Sequence, residues 1–509
     1  MGTEHIDSKP EKKVLILTWG SPWSAYSVNK DLIQYRWSEV NYVIDEGGNL
    51  KCKSRTTLPV VYKHYSPDKI IIIATDTTIF NPDLFTSENR NYRDLIQYVE
   101  KIYREFIQDI IESSANKCDI NIDEFKKKIE IVIAPGTGTY NNRYYTTEKR
   151  EESLNINFCG SITNYYNFIY GRLSELLYNE VISLLKDSKQ PKKTKTLRII
   201  LDLTHGVNYM PALTYRAIKD LGGAASILLR HVHLEILNSE PYTQGVNELR
   251  IHLVEKTLNP RPERFSFMNG KEPLEIEGRC LSKHCEETIR ELLSNRLSKI
   301  KELIDLKDVY AYASSIENGL PLLLLYTFPR ASLSNVVSSL ENIFYDFTTV
   351  EKDFEVKHHV RYTPNASGIF KALFIADALR NAYNISRREE ISLKELKEIT
   401  GKIIWIDNAT KLRISHELHT ISRIVESRGE CDNNYRKLSE YLQYEDCDYI
   451  EKEEDRFRRN LLSHAGLERC VTEIKCLAPE PGKTDLEIYV RYVNDKLEHI
   501  RKSALKLIS

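Results

Sequence analysis

The sequence carries no excess of charge of either sign and no long apolar segment. Its 509 residues include 72 Lys and Arg and 73 Asp and Glu, for a net charge of −1 with histidine neutral. This balance excludes a polycationic surface, so any contact with nucleic acid has to be confined to a local groove. The longest apolar stretch, residues 319–328, is far too short to span a membrane. The polar N-terminus has no signal-peptide core, and we expect a cytoplasmic protein with no membrane partner.

Cysteines and metal-ligand patterns are also sparse. The nine cysteines are spread over the chain without a Cys-x-x-Cys pair, which argues against a secreted disulfide scaffold. Cys280 and Cys285 have no second ligand pair spaced near them, as a zinc site would need. His231, His233 and Glu235 alternate onto one face of a predicted strand, for which an exposed or dimer-facing surface is the favoured interpretation. We therefore expect no metal and no resident cofactor.

The first half of the chain alternates short apolar runs with stretches of helical periodicity. Such β-branched runs are typical of strands buried on both faces of a parallel sheet. The runs occupy residues 13–18, 69–74, 129–134 and 197–203, and helical periodicity covers residues 93–114 and 161–185. This alternation predicts an α/β, Rossmann-like sheet. A hairpin is expected over residues 40–53, and an antiparallel pair over residues 225–237 and 248–255 is expected to close the sheet.

The character of the sequence changes after Pro260 and Pro262. From residue 281 onwards the apolar residues recur mostly at helical spacing. This periodicity predicts helices over residues 286–306, 333–347, 368–382, 403–427 and 455–474. An all-α C-terminal half is therefore expected to follow the α/β half.

The last of these predicted helices contains the most specific local pattern, Arg459-Asn460-x-x-x-His464. Arginine and histidine at similar spacings occur elsewhere in the chain, but only here does asparagine follow the arginine directly. On a helix Asn460 and His464 share a face, because residues four apart are neighbours. Phe457 and Leu461 form an apolar stripe beside them, which indicates that the polar pair borders a packing surface.

These three residue types suit RNA cleavage without a metal ion. A guanidinium can hold the scissile phosphate and stabilise its developing charge, and an imidazole can transfer protons near neutral pH. Asparagine can orient the ring or the phosphate. The substrate's own 2′-hydroxyl would be the nucleophile, so the products would carry a 2′,3′-cyclic phosphate and a 5′-hydroxyl, and DNA would be inert.

Three predicted strands end in loops rich in glycine, hydroxyl and aromatic residues. We name them loop A (residues 18–22), loop B (134–140) and loop C (204–210). Since the carboxyl ends of parallel strands meet at one sheet edge, where open α/β sheets bind ligands, the loops predict a ligand site. The candidate ligand-binding residues are Trp19, Gly20 and Ser21 in loop A, Gly136 and Thr137 in loop B, and Thr204, His205, Gly206 and Asn208 in loop C.

The segment that follows Asp202, Leu-Thr-His-Gly-Val-Asn-Tyr-Met, contains loop C, and its combination with Arg459-Asn460-x-x-x-His464 resembles the CARF–HEPN family. This family comprises CRISPR-associated ancillary ribonucleases of type III systems. Loop A looks like the family's first ligand-binding loop and loop C like its second. The resemblance covers essentially the whole chain. It implies a CARF Rossmann-like ligand-sensing domain over residues 1–258, a helical connector over 259–350 and a HEPN ribonuclease domain over 351–509.

The resemblance also implies partners and roles. A cyclic oligoadenylate, with cyclic tetra-adenylate favoured over the hexamer, would bind across the two CARF domains of a homodimer or a multiple of dimers. Binding would switch on cleavage of single-stranded RNA in type III CRISPR antiviral defence. Arg459 would bind the phosphate and stabilise the transition state, His464 would act as the acid–base or leaving-group residue, and Asn460 would orient them. Both chains would contribute to each active site.

Two other functions stay open. CARF domains also occur fused to winged helices, so a ligand-responsive DNA-binding regulator is one alternative, although no basic recognition helix is evident. A toxin-like HEPN ribonuclease without cyclic-nucleotide control, acting on an RNA such as tRNA, is the other. It also stays open whether the cysteines grouped around the proposed catalytic helix form disulfides. These are Cys431, Cys447, Cys470 and Cys476.

Overall fold

The structure is a computed structural model in which the chain forms two compact units. It describes residues 11–27, 32–44, 50–88, 90–186, 195–268, 271–281, 283–405, 407–428, 433–444, 446–477 and 486–508. Unit 1 comprises Met1–Pro262, Glu272–Leu297 and Val337–Ser367, and unit 2 comprises Glu263–Lys271, Ser298–Val336 and Gly368–Ser509. Both units are discontinuous in sequence, so the predicted domain boundaries after residues 258 and 350 stay predictions. No helix among the described residues is long and apolar enough to cross a membrane.

The strands and helices are numbered in chain order. The strands are β1 Glu11–Thr18, β2 Trp23–Ser27, β3 Gln34–Tyr35, β4 Val40–Ile44, β5 Leu50–Ser54, β6 Lys69–Thr75, β7 Ile129–Ala134, β8 Gly138–Tyr145, β9 Glu151–Cys159, β10 Thr196–Asp202, β11 His231–Ser239, β12 Glu248–Leu258, β13 Leu274–Ile276, β14 Thr348–Glu351, β15 Glu355–His358, β16 Val360–Tyr362, β17 Ile391–Ser392, β18 Arg436–Lys437, β19 Thr472–Leu477 and β20 Glu487–Tyr492. The helices are α1 Leu58–Tyr65, α2 Asp83–Thr86, α3 Tyr92–Cys118, α4 Ile122–Lys128, α5 Ile162–Lys186, α6 Met210–Ser226, α7 Lys283–Leu303, α8 Leu306–Asn318, α9 Pro321–Tyr326, α10 Leu333–Asp346, α11 Pro364–Tyr383, α12 Leu393–Thr400, α13 Asn408–Arg428, α14 Leu438–Tyr441, α15 Tyr449–Lys452, α16 Glu454–Ser463 and α17 Leu497–Leu505.

Unit 1 is built on an eight-stranded sheet in the order β5-β4-β12-β11-β10-β1-β6-β7. The strands β11, β10, β1, β6 and β7 run parallel, and β12 pairs antiparallel with β11. The helices α1, α3, α5 and α6 pack against its strands, which explains why β1 and β6 are almost wholly buried. The Rossmann-like sheet, the β4–β5 hairpin and the antiparallel β11–β12 pair are confirmed. The expectation that this pair closes the sheet is wrong, because β4 and β5 extend the sheet beyond β12. The turn of the hairpin lies outside the described residues.

A second sheet in unit 1 was not predicted from the sequence. Its order is β14-β15-β9-β8-β2-β3, and β13 pairs with β16 beside it. The hairpin of β8 and β9 is largely polar and exposed, so it has little of the apolar alternation that reveals a strand. The strand β15 pairs with β9 across roughly 200 positions of sequence, a distance at which local patterns carry no information, and β14 pairs in turn with β15.

Unit 2 is mainly helical, as expected for the C-terminal half, and carries in addition a four-stranded antiparallel sheet. The order is β17-β20-β19-β18, and β19 and β20 alternate buried and outward residues. The helix expected over residues 455–474 ends at Ser463 instead. Ala465 and Gly466 follow with φ of 49° and 79°, left-handed conformations that no α-helix continues through. The polypeptide then enters β19.

Disulfides occur in both units. Cys52 is bonded to Cys118 and Cys159 to Cys280 in unit 1, with Cα–Cα distances of 5.6 and 5.7 Å. Cys280 is therefore not available as a metal ligand. In unit 2 Cys447 is bonded to Cys470, and Cys476 is disulfide-bonded as well. The question raised for Cys431 lies outside the described residues.

Candidate active site and ligand loops

The motif arginine, asparagine and histidine lie at the C-terminal end of α16. Phe457 and Leu461, four residues apart, are completely buried and fix the inner face of this helix. Glu454 and Asp455 occupy its first turn, where carboxylates are favoured by the helix dipole. His464 follows the last helical residue, and its N–H donates to the carbonyl of Asn460 at 3.0 Å. The helix thus presents His464 beside its own last turn.

Three arginines lie close together in α16, and they differ in their partners. Arg456 forms ion pairs with Asp446 and Glu453 at 3.0 and 3.1 Å, and Arg458 is paired with Asp455. Arg459 is exposed, and within the described part of the chain its guanidinium forms no ion pair. Of the three, Arg459 therefore has its charge available for an anion.

The ring of His464 is held by a carboxylate from another helix. Nδ1 of His464 lies 3.2 Å from Oε2 of Glu417, which α13 positions. The hydrogen bond with Glu417 raises the pKa of His464 above its ordinary value, against the opposing effect of burial. None of the described residues hydrogen-bonds to Nε2. The opposite ring nitrogen is accordingly available for a substrate.

Asn460 is oriented by a series of hydrogen bonds that leads into the interior. Its side chain hydrogen-bonds to the hydroxyl of Tyr449, and that hydroxyl donates to the fully buried carboxylate of Glu468. The other oxygen of Glu468 accepts the backbone N–H of Cys470 at 2.8 Å. Since Cys470 is bonded to Cys447, the disulfide fixes the end of this series.

Glu417, Tyr449 and Glu468 were not predicted as site residues. Glu417 lies 47 positions before His464, and no spacing rule joins the two. Tyr449 and Glu468 flank the motif, but a tyrosine and a glutamate near a helix are too common to stand out. Glu417 comes from α13, Tyr449 from α15 and Glu468 from the turn after α16, and only their hydrogen bonds in the folded structure identify them.

Loops A and C meet directly in unit 1. The N–H of Gly20 donates to the carbonyl of His205 at 2.8 Å. A Cβ on Gly20 would lie 2.6 Å from the side chain of Val207, and one on Gly206 would lie 2.4 Å from Oγ1 of Thr18. Both glycines are therefore required for the close approach of the two loops. The structure brings these candidate residues together as the sequence predicted.

The candidate residues of loops A and C have different surroundings. The indole of Trp19 is completely buried against Trp37 and Phe106, so in this structure it packs in the interior. Thr204 accepts the backbone N–H of Ser239 through Oγ1 at 3.0 Å. Other candidates are more accessible: Ser21 and Gly206 are half-buried, and Asn208 is exposed with φ of 53°.

His205 is enclosed by aromatic rings and backbone. Its ring lies 4.3 Å from that of Trp37, and Nε2 accepts the N–H of Thr57 at 3.3 Å. Burial lowers the pKa of His205 to about 3, so the ring is neutral at physiological pH. Nearby, Asp202 accepts hydrogen bonds from the Thr57 hydroxyl at 2.5 Å and from the Thr204 N–H at 2.9 Å. The surroundings give His205 a packing role within loop C.

Loop B is anchored by a buried carboxylate. The N–H of Gly136 donates to Oδ1 of Asp76 at 2.6 Å, and the hydroxyl of Tyr92 donates to Oδ2 at 2.7 Å. Burial raises the pKa of Asp76 to about 7, although both hydrogen bonds act in the other direction. The hydroxyl of Thr137 donates to the carbonyl of Gly160 at 3.1 Å. Tyr209 of loop C reaches the backbone of Thr137, which brings loop B to the other two.

Metal-ligand side chains converge at one place among the described residues. Glu351, Asp353 and Glu355 lie at the turn between β14 and β15. Lys357 already pairs with Glu351 and Glu355 at 2.6 and 2.7 Å. The carboxylates of this group are thus partly paired by one lysine within unit 1.

Comparison with known proteins places these two sites in one family. The model for the CARF domain of CRISPR system endoribonuclease Csx1 matches residues 14–241, which include loops A, B and C. The model for the HEPN domain of the same endoribonuclease matches residues 407–495, which include Arg459, Asn460 and His464. The chain is similar to the CRISPR system endoribonuclease Csx1 of Methanocaldococcus jannaschii, with 27% identity over 507 residues, covering 97% of this chain and 91% of that protein. The chain belongs to the CARF–HEPN family of CRISPR-associated endoribonucleases.

Proposed function

We propose that this endoribonuclease cleaves single-stranded RNA without a metal ion, through attack of the substrate's own 2′-hydroxyl. The products are a 2′,3′-cyclic phosphate and a 5′-hydroxyl. The observation that carries the proposal is the pairing pattern in α16. Among the described residues, the exposed guanidinium of Arg459 forms no ion pair, and Nε2 of His464, five positions later, accepts and donates no hydrogen bond. A free cation and a proton-transfer group are what phosphodiester transfer requires.

Each motif residue has a distinct role. Arg459 binds the scissile phosphate and stabilises the negative charge that grows on it in the transition state. His464 transfers a proton to or from the reacting oxygens. Asn460, held by Tyr449, orients the phosphate and the ring. In the homodimer that we propose, two copies of α16 face one groove, so both chains contribute to each active site.

Activation comes from a cyclic oligoadenylate bound at loops A, B and C, in a type III CRISPR antiviral response. The loops join backbone N–H groups and hydroxyls at the carboxyl ends of parallel strands, and α6 begins directly after loop C. A ring of even symmetry suits a two-fold interface, and cyclic tetra-adenylate is the activator that we propose. Such a ligand activates only to the extent that it binds the active arrangement more tightly than the inactive one.

The test is cleavage of end-labelled single-stranded RNA in EDTA, with and without cyclic tetra-adenylate. The His464→Ala variant and an all-DNA strand of the same sequence run alongside. We expect cleavage only with activator, only of RNA, and loss of cleavage in the variant. Products should carry a terminal cyclic phosphate that acid converts to a monophosphate.

Three other results would each refute a part of the proposed function. Full cleavage without any cyclic oligoadenylate would indicate a toxin-like ribonuclease and refute ligand control. Tight binding of duplex DNA with no cleavage of RNA would indicate a regulator and refute the proposed chemistry. Cleavage by His464→Ala at the wild-type rate would refute the assignment of the active site.

A further inference from the structure

We propose that Glu417 is a positioning residue of the cleavage reaction: it holds Nδ1 of His464 and thereby directs Nε2 to the reacting phosphate. The inference rests on the proposed role of His464 and deepens it. Glu417 lies outside the Arg-Asn-x-x-x-His pattern, on a different helix, and it contacts no other motif residue by a hydrogen bond or ion pair within the described chain. Its action on the reaction is thus through the histidine.

The geometry supports a fixed orientation of the ring. The carboxylate of Glu417 is largely buried, with a side chain only 14% exposed, whereas the side chain of His464 is 39% exposed. The contact of 3.2 Å therefore anchors the inner edge of the ring and leaves the outer edge in solvent. A carboxylate on Nδ1 selects the tautomer and rotamer in which Nε2 is the reacting atom, as in other acid–histidine pairs.

The charges around the ring favour the imidazolium. Glu417 faces His464 from α13, and the buried Glu468 faces it from the turn that follows α16. Arg469 opposes them, but its guanidinium lies over the ring of Tyr444 at 3.5 Å from the centroid. The C-terminal end of α16 contributes the negative end of its dipole, which also stabilises a cation. Arg413 lies near Glu417 and donates to the carbonyl of Asn318 at 2.6 Å.

An imidazolium held in this way acts as the general acid. The bond between the 2′-oxygen and phosphorus forms as the bond between phosphorus and the 5′-oxygen breaks. The proton on Nε2 of His464 passes to the departing 5′-oxygen, and the proton of the 2′-hydroxyl passes to water. The neutral imidazole then regains a proton from water, held again by Glu417. The rate should fall as pH rises through the raised pKa of His464.

The experiment compares two RNA substrates at the mapped cleavage position. One has the natural 5′-bridging oxygen, and the other has sulfur there, a leaving group that needs no proton. Wild type, His464→Ala, Glu417→Gln and Glu417→Asp are assayed over a range of pH with activator. Glu426→Gln is the matched control, since Glu426 is an exposed carboxylate on the same helix. A melting curve of each variant verifies folding.

We expect Glu417→Gln to lose about tenfold of the rate on the natural substrate at neutral pH, with the pH–rate limb displaced to lower pH. The sulfur substrate should restore the rate of both Glu417→Gln and His464→Ala, and Glu417→Asp should fall between wild type and Glu417→Gln. Glu426→Gln should behave as wild type.

The experiment distinguishes a failure of the positioning role of Glu417 from a failure of the proposed function. A wild-type pH profile and rate in folded Glu417→Gln, with His464→Ala inactive on the natural substrate, would overturn the positioning role alone. Activity of His464→Ala on the natural substrate would overturn the proposed function itself. If Glu417→Gln does not fold, the same comparison is made with Glu417→Asp. This variant keeps the negative charge, but its shorter side chain moves the carboxylate away from Nδ1.

Discussion

The two motif histidines, His205 in unit 1 and His464 in unit 2, have opposite surroundings. The ring of His205 packs against that of Trp37 at a tilt of 35° and accepts a backbone N–H, and burial lowers its pKa to about 3. His464 lies at the end of a helix with a carboxylate on Nδ1, and the hydrogen bond with Glu417 raises its pKa. Burial thus favours the neutral form of the His205 ring, and the hydrogen bond with Glu417 favours the cationic form of the His464 ring.

The difference shows that a motif places a histidine without fixing its protonation state. Both histidines follow a secondary-structure element and precede a glycine turn, and both look suited to bind or to react. Their roles diverge because desolvation disfavours the charged ring of His205, while a paired carboxylate favours that of His464. The arginines of α16 differ in a similar way, because the carboxylates paired with them decide which guanidinium is available for an anion.

The largest effect is expected for the unpaired arginine. Arg459→Ala should reduce cleavage by about a hundred- to a thousandfold, the usual cost of removing one donor to a developing oxyanion. Arg458→Ala is the control, because the same helix carries it one position earlier but Asp455 already pairs with it. Initial rates at saturating activator measure both. Equal losses in the two variants would contradict the distinction between paired and free cations.

Removal of the disulfide at the end of the hydrogen-bond series that starts at Asn460 is expected to reduce stability by a free energy of similar size. Cys447 and Cys470 are 23 positions apart, and a cross-link closing a loop of this length contributes about 3 kcal/mol to the free energy of unfolding. The double variant Cys447→Ser, Cys470→Ser should lower the denaturation midpoint of unit 2, followed through the fluorescence of Trp405. The cleavage rate should also fall, since Cys470 holds Glu468. An unchanged midpoint would show that packing alone fixes this segment.

A smaller effect is expected from the pH dependence of stability in unit 1. The pKa of His205 is lower in the folded state than in the unfolded chain, so its contribution is complete above the unfolded pKa and is lost as pH falls toward 3. His358, completely buried with a pKa also lowered to about 3, acts in the same direction. His205→Phe should therefore retain stability in mild acid better than wild type does. Thermal melts between about pH 7 and pH 5 measure this.

If His205→Phe loses stability in acid as steeply as wild type, the neutral state assigned to His205 is wrong. The matched variant is His464→Phe. Because the pKa of His464 is raised, its contribution is complete below the unfolded pKa and is lost as pH rises, so removing it should reduce stability in mild acid.

The smallest effect is expected at the left-handed residues that follow each histidine. Asn208 has φ of 53° and Ala465 has φ of 49°. Asparagine adopts this conformation more readily than alanine, so Gly should be better tolerated at Ala465 than at Asn208. The lost burial of the Ala465 methyl offsets part of the gain, and we expect both changes in the free energy of unfolding to stay within about 1 kcal/mol. Denaturant titration without activator tests the order.

The elements that the sequence predicted well are those with strong local patterns. The buried strands β1, β6, β7 and β10 stand out through unbroken β-branched runs. Loops A, B and C could be located from the ends of these strands. The second sheet of unit 1 and the small sheet of unit 2 could not, because their strands are short, polar or paired over long distances.

The motif residues of the candidate site could be predicted from the sequence, but the residues that position them could not. Arg459, Asn460 and His464 are legible from spacing, but the ending of α16 before His464 depends on the left-handed Ala465. The carboxylates of Glu417 and Glu468 reach the site through tertiary packing. Trp19 and His205 resemble ligand-binding residues in sequence, and only the structure shows that the Trp19 ring is buried and that the His205 ring packs against Trp37.

The most direct test of the central claim is a titration of the histidine rings by NMR, using protein labelled with carbon-13 in its 13 histidines. The signals missing from His205→Phe and from His464→Ala assign the two rings. We expect the His464 signal to titrate above the ordinary pKa of histidine, and the His205 signal to stay in its neutral position down to about pH 5. Both rings titrating together near the ordinary value would contradict this expectation.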